Sequence, residues 1–164
     1  MAAKTPQNTI AVVTGSGGNV GSAVIRNLGK YHPDITVRAG FRDMQKSQHI
    51  GLLGKNLQPV HLDSTQPETM SKAFSGAHVA CIIPPNGPNR MKHASDMLDA
   101  AKKCGVRHIV VMYAPVDQMP EKSLMKVEAQ QLEVGVPKVL FLTYAVETVQ
   151  SWSSVHISSS IHVL

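Results

Sequence analysis

Apolar runs and helical patterns alternate along the chain from residue 9 to residue 143. Short, almost continuous apolar segments are typical of strands buried on both faces of a parallel sheet. Six of them predict strands, at residues 9–14, 35–41, 57–62, 78–83, 107–112 and 138–143. Apolar residues at three- and four-residue spacing predict helices at 18–30, 67–75, 88–104 and 122–134, with weak helical character over 43–54. The pattern therefore predicts an α/β fold, a doubly wound, mostly parallel sheet of about six strands with helices on both faces.

Proline, glycine and capping residues refine the predicted bounds of these elements. Pro59 lies within the third predicted strand, and because proline cannot donate a ladder hydrogen bond, we expect that strand to be an edge or a weak one. Residues 63–65 (Asp-Ser-Thr) are expected to cap the helix at 67–75, and Gly76 to end it. Gly105 similarly ends the helix at 88–104.

Composition favours a globular protein of one main domain. The chain has 164 residues, of which 43% are hydrophobic and 16% charged, so a disordered chain is excluded. We expect a domain over residues 1–150 and a serine-rich tail over 151–164. The net charge of +5 is spread along the chain, and aromatic residues are only 4%, which disfavours a dedicated nucleic-acid site. Attraction of a phosphorylated ligand is a simpler explanation of the positive charge than nucleic-acid binding.

The remaining composition favours a reduced, soluble, cytoplasmic protein. Cys81 and Cys104 are far apart, form no C-x-x-C motif and are expected to be small buried thiols. The N-terminal residues carry no apolar signal segment, and no apolar run approaches the length of a membrane span. The eight histidines lack metal-ligand spacing, so no metal site is predicted.

Four glycines within GSGGNVG, residues 15–21, lie between the first predicted strand and the first predicted helix. Gly15, Gly18 and Gly21 form G-x-x-G-x-x-G; the tighter G-x-G-x-x-G fails because Val20 occupies its last position. The first glycine permits a tight turn, the second lets the backbone approach a pyrophosphate, and the third packs helix against strand. The helix N-terminus offers N–H groups to the phosphates. We therefore predict a dinucleotide site, in which Gly17 is a spare residue of the turn and not one of the three working glycines. The alternative is a glycine-rich turn without a ligand.

Residues after the second predicted strand bear on the choice of dinucleotide. In this fold an acidic residue there binds the ribose 2′-hydroxyl of NAD, whereas an arginine suits the 2′-phosphate of NADP. Here Arg42 follows the strand, and Lys46 lies four residues further on. These cations predict NADP(H), with NAD less favoured. Asp43 keeps the NAD alternative open, as does the possibility that both cations are only surface charges.

The succession of several segments resembles the NmrA-like group of atypical short-chain dehydrogenases. These segments are AVVTGSGGNVG, VRAGFRD, LQPVHLDSTQPETMSKAFSGAHVACIIPP, AAKKCGVRHIVVM and KVEAQQLEVGVP. The resemblance covers roughly residues 9–144 and implies an NAD(P)-binding Rossmann fold in an oxidoreductase family.

The resemblance also implies where residues lie around the dinucleotide. The pyrophosphate would be lined by the turn, which comprises Gly15, Ser16, Gly17, Gly18, Asn19 and Val20, with Gly21 completing the motif. Arg42 and Lys46 would hold the 2′-phosphate, in agreement with their charge. Asp63 and Ser64 would lie beside the adenine. The adenine-side ribose would lie over three residues after the fourth strand, Ile83, Pro84 and Pro85.

On the nicotinamide side, the resemblance places Met112 and Tyr113, and Lys126 matches a lysine near the nicotinamide ribose. Many enzymes of the wider superfamily use a Tyr-x-x-x-Lys pair, in which the lysine lowers the tyrosine pKa for proton transfer. Lys122 stands where that tyrosine would be, so the pair is absent. Tyr113 is the alternative proton donor. An ordinary half-buried tyrosine and a surface lysine are the plain alternatives for Tyr113 and Lys126.

Three functions remain open at this point. The first is an NADPH-dependent reductase of a quinone or carbonyl, and the second a non-catalytic NADP(H) redox sensor that acts through a protein partner. The third is a truncated, inactive product. Members of the group are typically longer, so most of the C-terminal substrate lobe is expected to be missing. An apolar sheet edge exposed in this way would favour a homo-oligomer.

Overall fold

The computed structural model describes residues 9–113 and 139–143. They form a six-stranded sheet in the order β3-β2-β1-β4-β5-β6, with every neighbouring pair parallel. The strands are β1 (Ile10–Val13), β2 (Thr36–Phe41), β3 (Leu57–His61), β4 (Val79–Ile82), β5 (His108–Tyr113) and β6 (Val139–Thr143). The predicted fold class is confirmed. The edge position of β3 explains how Pro59 is accommodated there.

Three helices cover the described sheet: α1 (Asn19–Tyr31), α2 (Pro67–Phe74) and α3 (Arg90–Lys103). Successive strand residues face opposite sides, so Val12 and Val13, both fully buried, belong to two different cores. The core containing Val12 includes buried residues of α2 and α3. The core containing Val13 includes Ile25 of α1 and Ile50. The sheet is thus covered on both faces, as the apolar strands predict.

Two local expectations differ from the structure. Residues 43–54 hold two short 3₁₀ turns, Met44–Ser47 and Ile50–Leu52, in place of a weak helix. The N-cap of α2 is Gln66, and residues 63–65 do not cap it. The Asp63 carboxylate instead accepts hydrogen bonds from the backbone N–H and the hydroxyl of Thr65, so it orders the turn before the helix.

The two cysteines are free, and both are half-buried where the sequence predicted buried thiols. Burial nevertheless raises the pKa of the Cys81 thiol to about 11. The predicted helix at 122–134 and the tail at 151–164 lie outside the described residues. Within the part of the chain that is described, no helix is long and apolar enough to cross a bilayer.

Candidate dinucleotide site

The sheet order creates a switch point between β1 and β4. The chain proceeds outward from β1 to β2 and β3, and then crosses back to β4 on the other side of β1. In open α/β sheets, ligands bind at the carboxyl ends of the strands where the order reverses in this way. The glycine turn follows β1 directly, so it lies at this point of the sheet.

The backbone of the glycine turn is compact. Gly15 has φ of +62°, a left-handed conformation that favours glycine. The N–H of Gly18, the N-cap of α1, donates to the carbonyl of Gly15 at 3.0 Å. A Cβ on Gly21 would overlap the Gly15 carbonyl and lie 2.8 Å from the Cα of Ser16. The start of α1 is therefore packed directly on the turn. The first N–H groups of the helix, which have no partner within it, lie at the switch point.

Ser16 serves the turn itself. It is almost fully buried, and its hydroxyl donates to the carbonyl of Val13 at 2.9 Å. Its N–H donates to the carbonyl of Gly40 near the end of β2. Among the residues predicted to line the pyrophosphate, Ser16 thus has its side chain occupied within the protein. The neighbouring Gly17, Gly18 and Asn19 are exposed.

Thr14 joins the ends of β1 and β4. Its hydroxyl accepts a hydrogen bond from the N–H of Ile83 at 2.8 Å and donates to the Ile83 carbonyl at 3.3 Å. That carbonyl lies 3.3 Å from the position of a Cβ on Gly15. The segment after β4, predicted to pass under a ribose, is therefore held against the glycine turn. Thr14 is a site residue that sequence reasoning missed, although a buried polar residue at the end of an apolar strand is a usable signal.

Lys46 also lies against the turn. A Cβ on Gly17 would be 3.4 Å from Cδ of Lys46 and 3.4 Å from Cδ1 of Phe41. The aliphatic part of the Lys46 side chain thus passes close to the turn at Gly17. This differs from the expectation that Gly17 has no specific role in the turn. The Lys46 side chain is exposed. Its charged end is available to an anion near the turn.

The ends of β2 and β3 bring Arg42 beside Asp63. Phe41 pairs with His61, and the N–H of Leu62 donates to the Phe41 carbonyl at 3.0 Å. Burial alone would raise the pKa of the Asp63 carboxyl, but hydrogen bonds from Thr65 and Gln66 and the positive charge of Arg42 together lower it. The cation and the carboxylate predicted at this end of the site are therefore electrostatic neighbours.

Ser64 is paired with a residue that the sequence did not single out. Its hydroxyl and the Nδ1 atom of His93, at the start of α3, are 2.9 Å apart and hydrogen bonded. This contact connects the turn after β3 to the helix after β4. No local motif marks His93, because the partner becomes visible only when α2 and α3 pack on the same face.

Ser64 and His93 also line a groove of about 560 Å³ between α2 and α3. Its lining includes Met70, Lys92 and Lys103, and none of the glycine-turn residues contributes to it. The groove therefore runs away from the switch point along the helices. The glycine turn and the strand ends, rather than this groove, are the arrangement suited to phosphates.

On the nicotinamide side, the described structure is less extensive. Met112 is half-buried near the end of β5, and Tyr113 ends that strand. Because β5 is parallel to β4, both residues lie at the same edge of the sheet as the glycine turn. Lys126 lies outside the described residues. Pro84 is half-buried and Pro85 exposed, directly after Ile83.

The residues present fit a dinucleotide. The turn carries no bulky side chain where a pyrophosphate would approach, and the first turn of α1 has no acidic residue. Arg42 and Lys46 supply positive charge after β2, at the same edge of the sheet as the glycine turn. A glycine turn and a helix N-terminus at the switch point of a parallel sheet define the dinucleotide-binding Rossmann class.

Comparison with known proteins agrees with this class. A family model described as NAD(P)H-binding matches residues 15–135, and the chain belongs to this family. The resemblance to NmrA-like proteins is confirmed by a curated relative, the NmrA-like family domain-containing oxidoreductase FrzB from Cladobotryum sp.. It is 31% identical over 115 residues, which cover 65% of this chain and 34% of FrzB. The matched stretch therefore spans about a third of the length of that relative.

Solved structures share the fold. Triphenylmethane reductase from Citrobacter sp., complexed with NADP(H), has a TM-score of 0.68 at 24% identity over 85% of this chain and 50% of that one. An NADPH-dependent quinone oxidoreductase from Escherichia coli, complexed with NADPH, has a TM-score of 0.67 at 22% identity, with coverages of 81% and 47%. The negative transcriptional regulator NmrA matches with TM-scores of 0.65 with NADP and 0.67 with NAD, at 20% and 18% identity. Each NmrA match covers 82% of this chain and 44% of NmrA. These likenesses show the shared fold. NAD(P)H binding is supported by the family model, which does not distinguish the two dinucleotides.

Proposed function

We propose that the chain binds NADP(H) in preference to NAD(H), with the 2′-phosphate held by Arg42 and Lys46. The observation that carries this proposal is the closeness of the Lys46 stem to the glycine turn, where its Cδ lies 3.4 Å from the position of a Cβ on Gly17. Arg42 follows β2 at the same edge of the sheet, and its charge acts on Asp63. Two cations beside a phosphate-binding turn match the extra charge that distinguishes NADP from NAD.

Equilibrium titrations followed by the fluorescence of the reduced nicotinamide test this preference. The protein should bind NADPH more tightly than NADH. Arg42→Ala and Lys46→Ala should each weaken NADPH binding about threefold to tenfold, in the range of an exposed charge-assisted hydrogen bond. NADH binding should change little in either variant, because NADH lacks the 2′-phosphate.

Lys55→Ala is a matched control for the loss of one positive charge. Lys55 is exposed and precedes β3, so it lies at the opposite edge of the parallel sheet. Its removal should leave the ratio of NADPH to NADH affinity unchanged. Tighter binding of NADH by the unmodified chain, or unchanged NADPH affinity in both Arg42→Ala and Lys46→Ala, would refute the proposed preference.

We further propose that the bound cofactor reduces a quinone or a related carbonyl. Bound NADPH would supply a hydride at the carboxyl edge of β4 and β5, where Met112 and Tyr113 lie. The proposal is supported by membership in the NAD(P)H-binding family and by the oxidoreductase relative. Tyr113 and Lys126 are the proposed groups near the nicotinamide, with Tyr113 as a proton donor.

A steady-state assay of NADPH oxidation against a panel of quinones tests the reductase proposal. Turnover that is lost in Lys126→Ala, with NADPH affinity retained, supports it. Tight NADPH binding without turnover on any quinone would contradict it and favour a regulatory NADP(H)-binding module. A chain that binds neither dinucleotide and lacks near-UV circular dichroism would favour an inactive product.

A further inference from the structure

Asp43 occupies the position at which an acidic residue would ordinarily favour NAD. It follows Arg42 at the end of β2, where a carboxylate can hydrogen-bond the ribose 2′-hydroxyl. In the structure the Asp43 carboxylate has a local partner. Its Oδ1 atom accepts a hydrogen bond from the N–H of Gln45 at 3.0 Å, which makes Asp43 the N-cap of the Met44–Ser47 turn.

Two further contacts close the same short turn. The N–H of Lys46 donates to the Asp43 carbonyl at 3.2 Å, and the Ser47 hydroxyl donates to the Met44 carbonyl at 2.7 Å. The turn has no buried residue of its own. Because packing does not anchor it, these hydrogen bonds determine its conformation to a large extent.

The turn determines where Lys46 points. Lys46 is its third residue, and the stem of that side chain lies against the position of Gly17. Loss of the cap would free the turn to adopt other conformations, and Lys46 would spend less time beside the glycine turn. The conformational entropy of the lysine side chain would then be lost on binding instead of on folding, which lowers the affinity.

We propose that Asp43 is a positioning residue for NADP(H) selectivity: its carboxylate caps the Met44–Ser47 turn and thereby places Lys46 beside the dinucleotide turn. The inference rests on the proposed NADP(H) preference and adds the residue that supports it. A capping side chain after β2 here raises the preference for NADP(H), which is opposite to the effect of a direct ribose ligand.

Asp43→Asn and Asp43→Ala separate these roles, because both remove the negative charge and only asparagine keeps a side-chain acceptor. Asp43→Asn should bind NADPH at least as tightly as the unmodified chain, since a negative charge near the 2′-phosphate is gone. Asp43→Ala should bind NADPH about threefold to tenfold more weakly than Asp43→Asn, as expected for the loss of one N-cap hydrogen bond. NADH should bind the two variants equally.

A double-mutant cycle with Lys46→Ala completes the test. If the cap acts through Lys46, Asp43→Ala and Asp43→Asn should bind NADPH equally once Lys46 is alanine. Equal NADPH affinities of the two Asp43 variants with Lys46 present would overturn the inference. So would weaker NADH binding by both, the behaviour of a ribose ligand, or an equal loss for both dinucleotides in Asp43→Ala alone. If Lys46→Ala alone leaves NADPH affinity unchanged, the inference about Asp43 fails; if Arg42→Ala leaves it unchanged as well, the proposed NADP(H) preference fails with it, so the two failures are distinguishable.

Discussion

Replacement of Gly21 by alanine tests how closely α1 is packed on the glycine turn. Gly21 is buried in the first turn of α1, and an added Cβ would overlap the Gly15 carbonyl. The same Cβ would lie 2.8 Å from the Cα of Ser16. Both neighbours are backbone, so no rotation of a flexible side chain can relieve the contact. The helix must move away from the turn.

The magnitude follows from two opposing effects. Insertion of a methyl group into a packed site costs about 1–3 kcal/mol. Alanine is better than glycine in a helix by about 0.5–1 kcal/mol, which offsets part of that cost. We expect Gly21→Ala to lower the free energy of unfolding by about 1–2 kcal/mol, or the Tm by about 2–8 °C for a chain of this size. Displacement of the helix N-terminus should also weaken NADPH binding, because the N–H groups facing the phosphates move with it.

Gly51→Ala is the matched control. Gly51 lies in the second 3₁₀ turn, and a Cβ there would meet no atom within 4 Å. That variant should be as stable as the unmodified chain, or more stable by about 0.4–1 kcal/mol through a smaller unfolded-state entropy. Thermal unfolding followed by circular dichroism measures both variants. If Gly21→Ala unfolds at or above the temperature of Gly51→Ala, the inferred packing of α1 on the turn is wrong.

Two further predictions concern Thr14 and Cys81. Thr14→Val should destabilise the fold by about 1–3 kcal/mol in chemical denaturation, because the N–H of Ile83 loses its acceptor, whereas Thr14→Ser should not; equal stability of both variants would contradict this role. The Cys81 pKa of about 11, against an ordinary 9.0, means that the unfolded thiol ionises first, so its contribution to stability should be present below pH 9 and lost as the pH rises toward 11. In a Cys104→Ser variant, alkylation of folded Cys81 should be slow at pH 8 and accelerate toward pH 11; modification at pH 8 as fast as in the unfolded chain would refute it.

The sheet and the proximity of the residues that follow β2 and β3 are predictable from sequence, because both depend on short-range patterns. Buried parallel strands have almost continuous apolar sequences, so β1 and β5 can be predicted without tertiary information. Once the strands are parallel, residues that follow them meet at one edge of the sheet. Arg42 and Asp63 therefore become neighbours by register alone. Burial would raise the pKa of Asp63, and it is lowered mainly by hydrogen bonds from Thr65 and Gln66, with a smaller contribution from the Arg42 charge.

The contacts that the sequence did not predict join residues whose proximity depends on tertiary packing. The Ser64–His93 hydrogen bond requires α2 and α3 to lie side by side, and neither residue has a local signature of the contact. The two 3₁₀ turns were predicted as weak helix because periodicity over 43–54 does not distinguish i→i+3 from i→i+4 bonding. Of the two turns, Met44–Ser47 has a side-chain cap, from Asp43, and Ile50–Leu52 has none.

Gly17 shows why a motif alone does not determine cofactor choice. In the spacing of glycines, Gly17 is the member without an assigned task, and the motif would identify the same site with any small residue there. In the folded chain a Cβ added at Gly17 would lie 3.4 Å from the side chains of Lys46 and Phe41. A larger residue at 17 would therefore displace the lysine stem. If the proposed preference for NADP(H) holds, selectivity depends on the conformation of the turn after β2, because the glycines by themselves fit either dinucleotide.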